Sequence, residues 1–316
     1  MSATLIAVVL ALILGHTAAP LTQLRRFGWF TRWLDFLREQ FKDGWYASAA
    51  ATLVSLGLPL ALCGLVQHWL DGRFFGLPGF VFALAMLFYC WGPRDLDLDV
   101  EAALEATDPD AREKALHTLA GEGAPIPNDA AGAVATVFRA SKRRWFGVLL
   151  WFLLLGPFGA LLYRLTQRGA ESAEHLPGEQ LSTYSHLLAI LEWPVAQLMT
   201  LGLALAGNFD AVYGAWRDWH GTRRGHDFDF DAGFLDAAAQ ASVKREHAEI
   251  QAELETEDAE TGEPTESGIE APAVVIPDAA PVSLDRSALA EAMGLVWRVL
   301  IVWLAVLAVF VLAGYA

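Results

Sequence analysis

Cysteine is scarce in this chain, and the two cysteines, Cys63 and Cys90, both lie inside apolar runs. Disulfide frameworks and zinc sites need paired cysteines at set spacings, so the sequence indicates neither. The eight histidines are scattered without the spacing of metal ligands. A nucleophile elbow, a Walker loop and an H-E-x-x-H motif are all missing from the sequence. Its motifs therefore do not indicate an enzyme.

Basic residues are also few, since 22 Lys and Arg stand against 37 Asp and Glu. No basic patch of the kind that binds nucleic acid is present, so we expect no nucleic-acid partner. Ten of the acidic residues fall between 246 and 270, where no Lys or Arg occurs, so the net charge of −15 is largely local. The segment 246–283 is acidic and then rich in Pro and Ala. Such a composition buries too little apolar surface to offset its ordering entropy, so we predict a disordered linker.

Apolar sequence is abundant, at 54% of the residues. The stretch that organises the chain is 146–165, FGVLLWFLLLGPFGALLYRL, with Arg164 as its one charge and Gly156-Pro157 in its middle. About twenty apolar residues in a helix cross a hydrocarbon core of roughly 30 Å. We therefore predict a central spanning helix that is kinked at the Gly-Pro pair.

Further apolar runs predict the remaining crossings. They cover residues 52–70, 74–91, 187–213 and 295–315. A shorter run at 3–15 is either a partial or re-entrant helix or a full span. The predicted fold is thus an all-α, polytopic helical membrane protein with four to five spanning helices, a partial N-terminal helix and cytoplasmic amphipathic helices.

Polar segments lie between these runs. Residues 24–45 interleave basic and aromatic side chains at helical spacing, which predicts a helix in the membrane interface or docked on the bundle. In the polar loop 92–145, the pattern predicts helices at 95–106 and 109–120, and a third from Asp129 that runs into the central span.

These features divide the chain into three parts: a helical membrane domain (1–245), the linker (246–283) and a C-terminal transmembrane helix (284–316). Lys and Arg are concentrated in the stretches 16–51, 92–145 and 214–294, which hold five, seven and six of them. By the positive-inside rule, these large polar regions are cytoplasmic.

The most distinctive polar motif is Gly92-Pro93-Arg94-Asp95-Leu96-Asp97-Leu98-Asp99, where the second predicted span ends. In a helix that begins near Pro93, Asp95 and Asp99 share a face. One interpretation is a helix start, which favours Pro and acidic residues. The other is a site at the membrane surface, in which Asp95 and Asp99, with Arg94, hold magnesium or a phosphorylated ligand.

Three charged residues border the later spans. Arg164, at the end of the central span, either snorkels to the interface or contacts an anionic ligand. Glu192 and Asp210 flank the span at 187–213 and are predicted to be interfacial. Asp210 is also a candidate ligand contact.

Four stretches together resemble the AmpE family of bacterial inner-membrane proteins. They are GPRDLDLDVEAALE at 92–105, the central run at 146–165, LEWPVAQL at 191–198 and LAGNFDAVYGAW at 205–216. The resemblance implies a multi-pass inner-membrane protein that acts as a non-catalytic sensor or regulator in β-lactamase induction and cell-wall stress. Its partners would be the lipid bilayer and another envelope or cytoplasmic protein, or a cell-wall fragment.

The AmpE family is in turn similar to the CbiB/CobD synthases of cobalamin biosynthesis. That likeness implies an alternative, a membrane-bound amide-forming ligase or transferase, and only this alternative calls for Mg²⁺ or a phosphorylated nucleotide. In place of the acidic stretch expected before the central span, this chain has basic residues at 139–144. The alternative also needs Arg94, Asp95 and Asp99 to meet Arg164 or Asp210 in one cavity. A straight central span puts Arg164 on the opposite face, unless the Gly-Pro break makes that segment re-entrant.

Overall fold

A computed structural model describes residues 10, 27–41, 48–70, 76–92, 96–121, 129–222, 230–246 and 280–313. Within these ranges the chain is all-helical, without a β-strand, as predicted. The helices are α1 (Gly28–Gln40), α2 (Ala49–Leu70), α3 (Leu77–Cys90), α4 (Leu96–Glu105), α5 (Pro109–Ala120), α6 (Ala130–Ser141), α7 (Gly147–Leu155), α8 (Pro157–Glu171), α9 (Gly178–Ala206), α10 (Phe209–Thr222), α11 (233–246) and α12 (Ala280–Leu312). A π-helical turn at Lys142–Phe146 joins α6 to α7.

Three helices in the described part of the chain are long and apolar enough to cross a membrane. They are Ala50–Leu70, Gly178–Ala206 and Ser287–Phe310, with 21, 29 and 24 residues. Helix α3 is apolar but has only 14 residues, which gives it a length of about 21 Å, less than a hydrocarbon core. The structure therefore fits a membrane protein, but the prediction of four to five spanning helices was too high.

The predicted central span is not one helix. Its first half, α7, ends at Leu155, and α8 begins at Pro157, with Gly156 between them at a φ of +67°. Glycine adopts positive φ without steric cost, and proline at the first helical position loses no hydrogen bond. The pair therefore ends one helix and starts the next, where a kink was expected.

The two halves form an antiparallel hairpin. The Tyr163 ring lies on Gly147, and a side chain at Gly159 would collide with the carbonyl of Trp151. As α7 advances from Gly147 to Trp151, its contacts on α8 move back from Tyr163 to Gly159, as expected for helices that run in opposite directions. At the tip, the Gln67 side-chain oxygen accepts a hydrogen bond from the Phe158 amide at 3.1 Å, so α2 satisfies a backbone donor freed by the break.

Helix α8 is the centre of the bundle. It packs against α2, α3, α7 and α9, while α12 packs along α6 and α9. Gly202 of α9 lies against Val299 and Trp303, and Gly207 lies near Leu295, so α9 and α12 run antiparallel where they meet. This arrangement places the α7–α8 hairpin among α2, α3 and α9.

The polar loop is helical as the sequence predicted. Helices α4 and α5 match the predicted segments within one residue. Asp129 caps α6 by accepting a hydrogen bond from the Gly132 amide at 2.7 Å, and α6 continues through the π turn into α7. Helix α1 is docked on the bundle, since Phe30 and Leu34 are buried and the Trp33 indole donates to the Ser55 carbonyl.

One predicted span has different ends, and two predicted segments lie largely outside the described residues. The span predicted at 187–213 begins earlier, at Gly178, and ends at Ala206 because Asn208 caps a separate helix, α10, through the Ala211 amide. The first apolar run lies outside the described residues except for residue 10. Most of the predicted linker, residues 247–279, also lies outside them.

Candidate ligand-binding cavity

Three consecutive basic residues in the π turn are divided between two carboxylates. Lys142 Nζ lies 2.7 Å from Glu192 Oε2, and Arg143 Nε lies 3.0 Å from Glu192 Oε1. Lys142 and Glu192 are buried. Glu192 lies at the midpoint of α9 and is enclosed by protein. Its predicted place at the membrane interface stays a prediction. A carboxylate in this setting is stable because two cations neutralise it and both of its oxygens accept hydrogen bonds or ion pairs.

Arg144 points to a different partner. Its Nη1 donates to Asp99 Oδ2 at 2.6 Å, and its Nη2 donates to the carbonyls of Thr118 and Leu119 at 3.2 and 3.3 Å. Gly92, the first residue of the sequence motif, lies against the Arg144 side chain. These contacts tie α4 and α5 to the π turn. The π turn itself widens the helix, which is a common feature of functional sites.

Beside Glu192 lies a cavity of about 1040 Å³ that is lined in part by charged side chains. One wall comes from α6 and the π turn, the second from the end of α8 and the loop after it, and the third from one face of α9. Its lining residues are Thr31, Ala120, Thr136, Arg139, Ala140, Arg143, Arg168, Ala170, Glu171, Ser172, Ala173, Glu174, His175, Ser185, Leu188, Ala189 and Glu192. The size suits a small organic ligand.

A hydrogen-bonded chain leads from the protein interior to this cavity. Arg164 is fully buried, and its Nε donates to the Cys90 carbonyl at 2.7 Å. Its Nη1 donates to Gln167 Oε1, and Gln167 Nε2 donates to Glu171 Oε1, at 2.6 and 2.8 Å. Glu171 lines the cavity and also accepts from Arg168. Arg164 therefore does not snorkel to the surface, because the hairpin folds it back against the end of α3.

A second ion pair closes the outer end of the α6 wall. Arg139 Nε lies 2.8 Å from Asp236 Oδ2 on α11. Burial raises the pKa of Asp236 above its ordinary value, although Arg139 acts in the opposite direction. Deeper in the cavity, the charge of Glu192 raises the pKa of Arg143. Arg143 is therefore cationic at any physiological pH.

The residues predicted to contact a ligand are not gathered here. Arg94 and Asp95 lie outside the described residues. Asp99 pairs with Arg144, and Arg164 donates hydrogen bonds to the Cys90 carbonyl and to Gln167. Asp210 is exposed in the first turn of α10. None of these three lines the cavity. Ligand contact by any of these residues stays a prediction.

The metal prediction at Asp95 and Asp99 also stays untested as a pair. Among the residues whose placement the structure describes, no three His, Cys, Asp or Glu side chains come together as a metal site would need. Asp97 has another contact, since it accepts a hydrogen bond from the Trp297 indole at 2.9 Å.

Sequence reasoning missed the cavity residues Arg139, Arg143, Arg168 and Glu171. A signal was present on α9, where Ser185, Leu188, Ala189 and Glu192 recur at helical spacing and so form one face. Glu192 is the one charged residue of α9 beyond its first turn. A lone carboxylate in an apolar helix indicates a buried partner.

No protein-family model, no curated protein and no solved structure matches this chain.

Proposed function

We propose that this chain is a membrane protein that binds a small polar ligand in the cavity beside Glu192 and acts as a regulator of the AmpE type. In this proposal it resides in the bacterial inner membrane, with its polar loops in the cytoplasm, and takes part in β-lactamase induction and the response to cell-wall damage. The observation that carries the binding role is a large charged cavity whose wall includes a buried carboxylate on a candidate spanning helix.

The ion pairs at Glu192 supply a route from binding to a change in helix packing. Lys142 and Arg143 belong to the helix that enters the hairpin, whereas Glu192 belongs to α9. A ligand that draws Arg143 away weakens one of the two contacts that neutralise Glu192. Because a buried carboxylate is costly when less well paired, occupancy biases the packing of α9 against the hairpin.

The proposal is tested by filling the cavity. Ser185 is exposed and lines it, so Ser185→Trp blocks the space from the α9 wall without a buried collision. Ser182→Trp, also exposed on α9 but outside the lining, is the matched control. In a host strain deleted for this gene, wild type and Ser182→Trp should restore the β-lactamase induction phenotype, and Ser185→Trp should not.

Membrane abundance of each variant is compared by immunoblot, so that loss of protein is separated from loss of signalling. If deletion leaves induction unchanged, the regulatory proposal is wrong. If both tryptophan variants restore induction at normal abundance, the cavity has no part in the signal.

A second candidate function is the amide-forming ligase or transferase. The hairpin favours it, because the short segment Cys90–Gly92 contacts both Arg164 and Arg144. This removes the topological objection to a site that joins Arg164 to the motif at 92–99. The purified chain would then bind a phosphorylated nucleotide in a Mg²⁺-dependent manner. An Asp95→Ala variant should lose that binding, and an absence of binding by the intact protein contradicts the candidate.

A further inference from the structure

The hydrogen-bonding groups that line the cavity are unequally used. Glu192 has both carboxylate oxygens engaged, by Lys142 and Arg143. Glu171 has both engaged, by Gln167 and Arg168. Glu174 is exposed at the rim, where water solvates its charge. Both oxygens of each carboxylate inside the cavity, Glu171 and Glu192, are thus already engaged by the protein.

On the α6 wall, by contrast, most of the arginine N–H donors have no hydrogen-bond partner among the described residues. Arg139 and Arg143 are each held by a carboxylate through Nε alone. No other hydrogen bond to either guanidinium group occurs among the described residues, and 46% and 39% of their side chains are exposed. The two Nη atoms of each arginine therefore have no hydrogen-bond partner among the described residues, and both arginines line the cavity.

The spacing of these arginines places both on one side of the helix. Residues four apart on a helix lie on the same face, about one turn from each other. A guanidinium group held at Nε presents its remaining N–H groups as a planar fork, which suits the two oxygens of a carboxylate or phosphate.

From this inventory we infer that the cavity binds an oxyanion, a carboxylate or phosphate group, between Arg139 and Arg143. This inference rests on the proposed binding function and adds the chemical class of the ligand. The oxyanion can belong to a soluble metabolite or to the headgroup of an anionic lipid, since both present the same acceptor oxygens.

The test uses the full chain in nanodiscs of phosphatidylcholine and three probes that share a small polar frame but differ in charge: glycerol 3-phosphate, glycerol and choline. Thermal unfolding is followed for each probe over a range of concentrations, because a ligand of the native state raises the Tm. Glycerol 3-phosphate should raise the Tm in a saturable manner, and neither of the other probes should.

Arg143→Gln and Arg139→Gln each remove one of the two guanidinium groups. Arg139 is the more exposed of the two, so the fold is easily retained in its variant. Each should weaken the affinity for glycerol 3-phosphate by about ten- to a hundredfold, the effect of one charge-assisted contact. Arg217→Gln is the control, because Arg217 is exposed and does not line the cavity. It should bind as wild type does.

A second set of nanodiscs contains phosphatidylglycerol. If this lipid raises the Tm in wild type but not in Arg139→Gln, and abolishes the response to glycerol 3-phosphate, the oxyanion comes from the lipid headgroup. If both arginine variants bind the anion as tightly as wild type does, the inference is wrong. Binding of choline alone also contradicts the oxyanion inference, although the cavity would still be a binding site. If no probe or lipid changes the Tm, both the oxyanion inference and the proposed binding function are wrong.

Discussion

Arg143 and Arg144 are neighbours in the chain, yet the structure uses them in opposite ways. Arg144 is 12% exposed and makes three hydrogen bonds, to Asp99 and to two carbonyls. Arg143 is 39% exposed, makes one, and keeps its terminal nitrogens free at the cavity. One basic run therefore holds a structural cation and a cation that is available to a ligand, and only their partners distinguish them.

The largest effect is expected on the structural side. Asp99→Ala leaves the Arg144 guanidinium buried without its counter-charge, and breaking such a pair costs about 3–5 kcal/mol. We expect the purified variant to unfold at a much lower temperature in detergent and to be scarce in membranes. Asp210→Ala, at an exposed carboxylate, is the control and should be near wild type. A small change for Asp99→Ala would mean that the two carbonyls suffice to hold Arg144.

The next effect separates stability from binding in one residue. Glu192→Gln keeps the shape of the side chain but leaves Lys142 without a counter-charge, so we expect a loss of about 1–3 kcal/mol. The same change frees Arg143 Nε, so the affinity for glycerol 3-phosphate should rise. Denaturant titration and the Tm response in nanodiscs measure the two quantities. A parallel fall of both would show that Glu192 holds Arg143 in its binding geometry.

Lysine substitutions sharpen the contrast between the neighbours. Lysine keeps the charge but loses the planar fork. Arg144→Lys should cost about 1–2 kcal/mol because at least one of its hydrogen bonds is lost, with little change in anion affinity. Arg143→Lys should do the reverse, with near-normal unfolding and weaker binding. If the two variants changed the free energy of unfolding equally, or the anion affinity equally, the assignment of a structural role to Arg144 and a binding role to Arg143 would be wrong.

The smallest effect is expected at the outer pair. Asp236→Asn should change the free energy of unfolding by less than about 1 kcal/mol, because the partner Arg139 is 46% exposed and water screens the pair. The pKa of Asp236 is raised from an ordinary value of 3.8, so the folded state holds this proton more tightly than the unfolded state. Its contribution to stability is then present at low pH and lost as the pH rises through the folded pKa.

That pH dependence should be absent from Asp236→Asn. Unfolding curves of the variant and wild type between pH 3 and pH 7 test the sign. A wild-type stability that rises more steeply with pH than that of the variant would mean that Arg139 dominates over burial.

Much of the helical pattern was predictable from local sequence. The helices α4 and α5, the start of α6 at Asp129 and the C-terminal apolar helix follow from apolar periodicity, capping residues and length. In each of these, the decisive interactions join residues close in the chain. The hairpin was missed because a Gly-Pro pair is compatible with a kink and with a reversal. The choice depends on Gln67 and on the close contact of Gly159 with Trp151, which lie in other segments.

The sequence alone determined that the chain is helical, largely apolar and suited to a membrane, because composition and periodicity are local properties. It did not determine which of Lys142, Arg143 and Arg144 is available to a ligand. That depends on where Asp99 and Glu192 lie, 43 and 50 positions from Lys142 along the chain. Charge pairing depends on distance and burial, and only the packing of α4 and α9 against the π turn sets these.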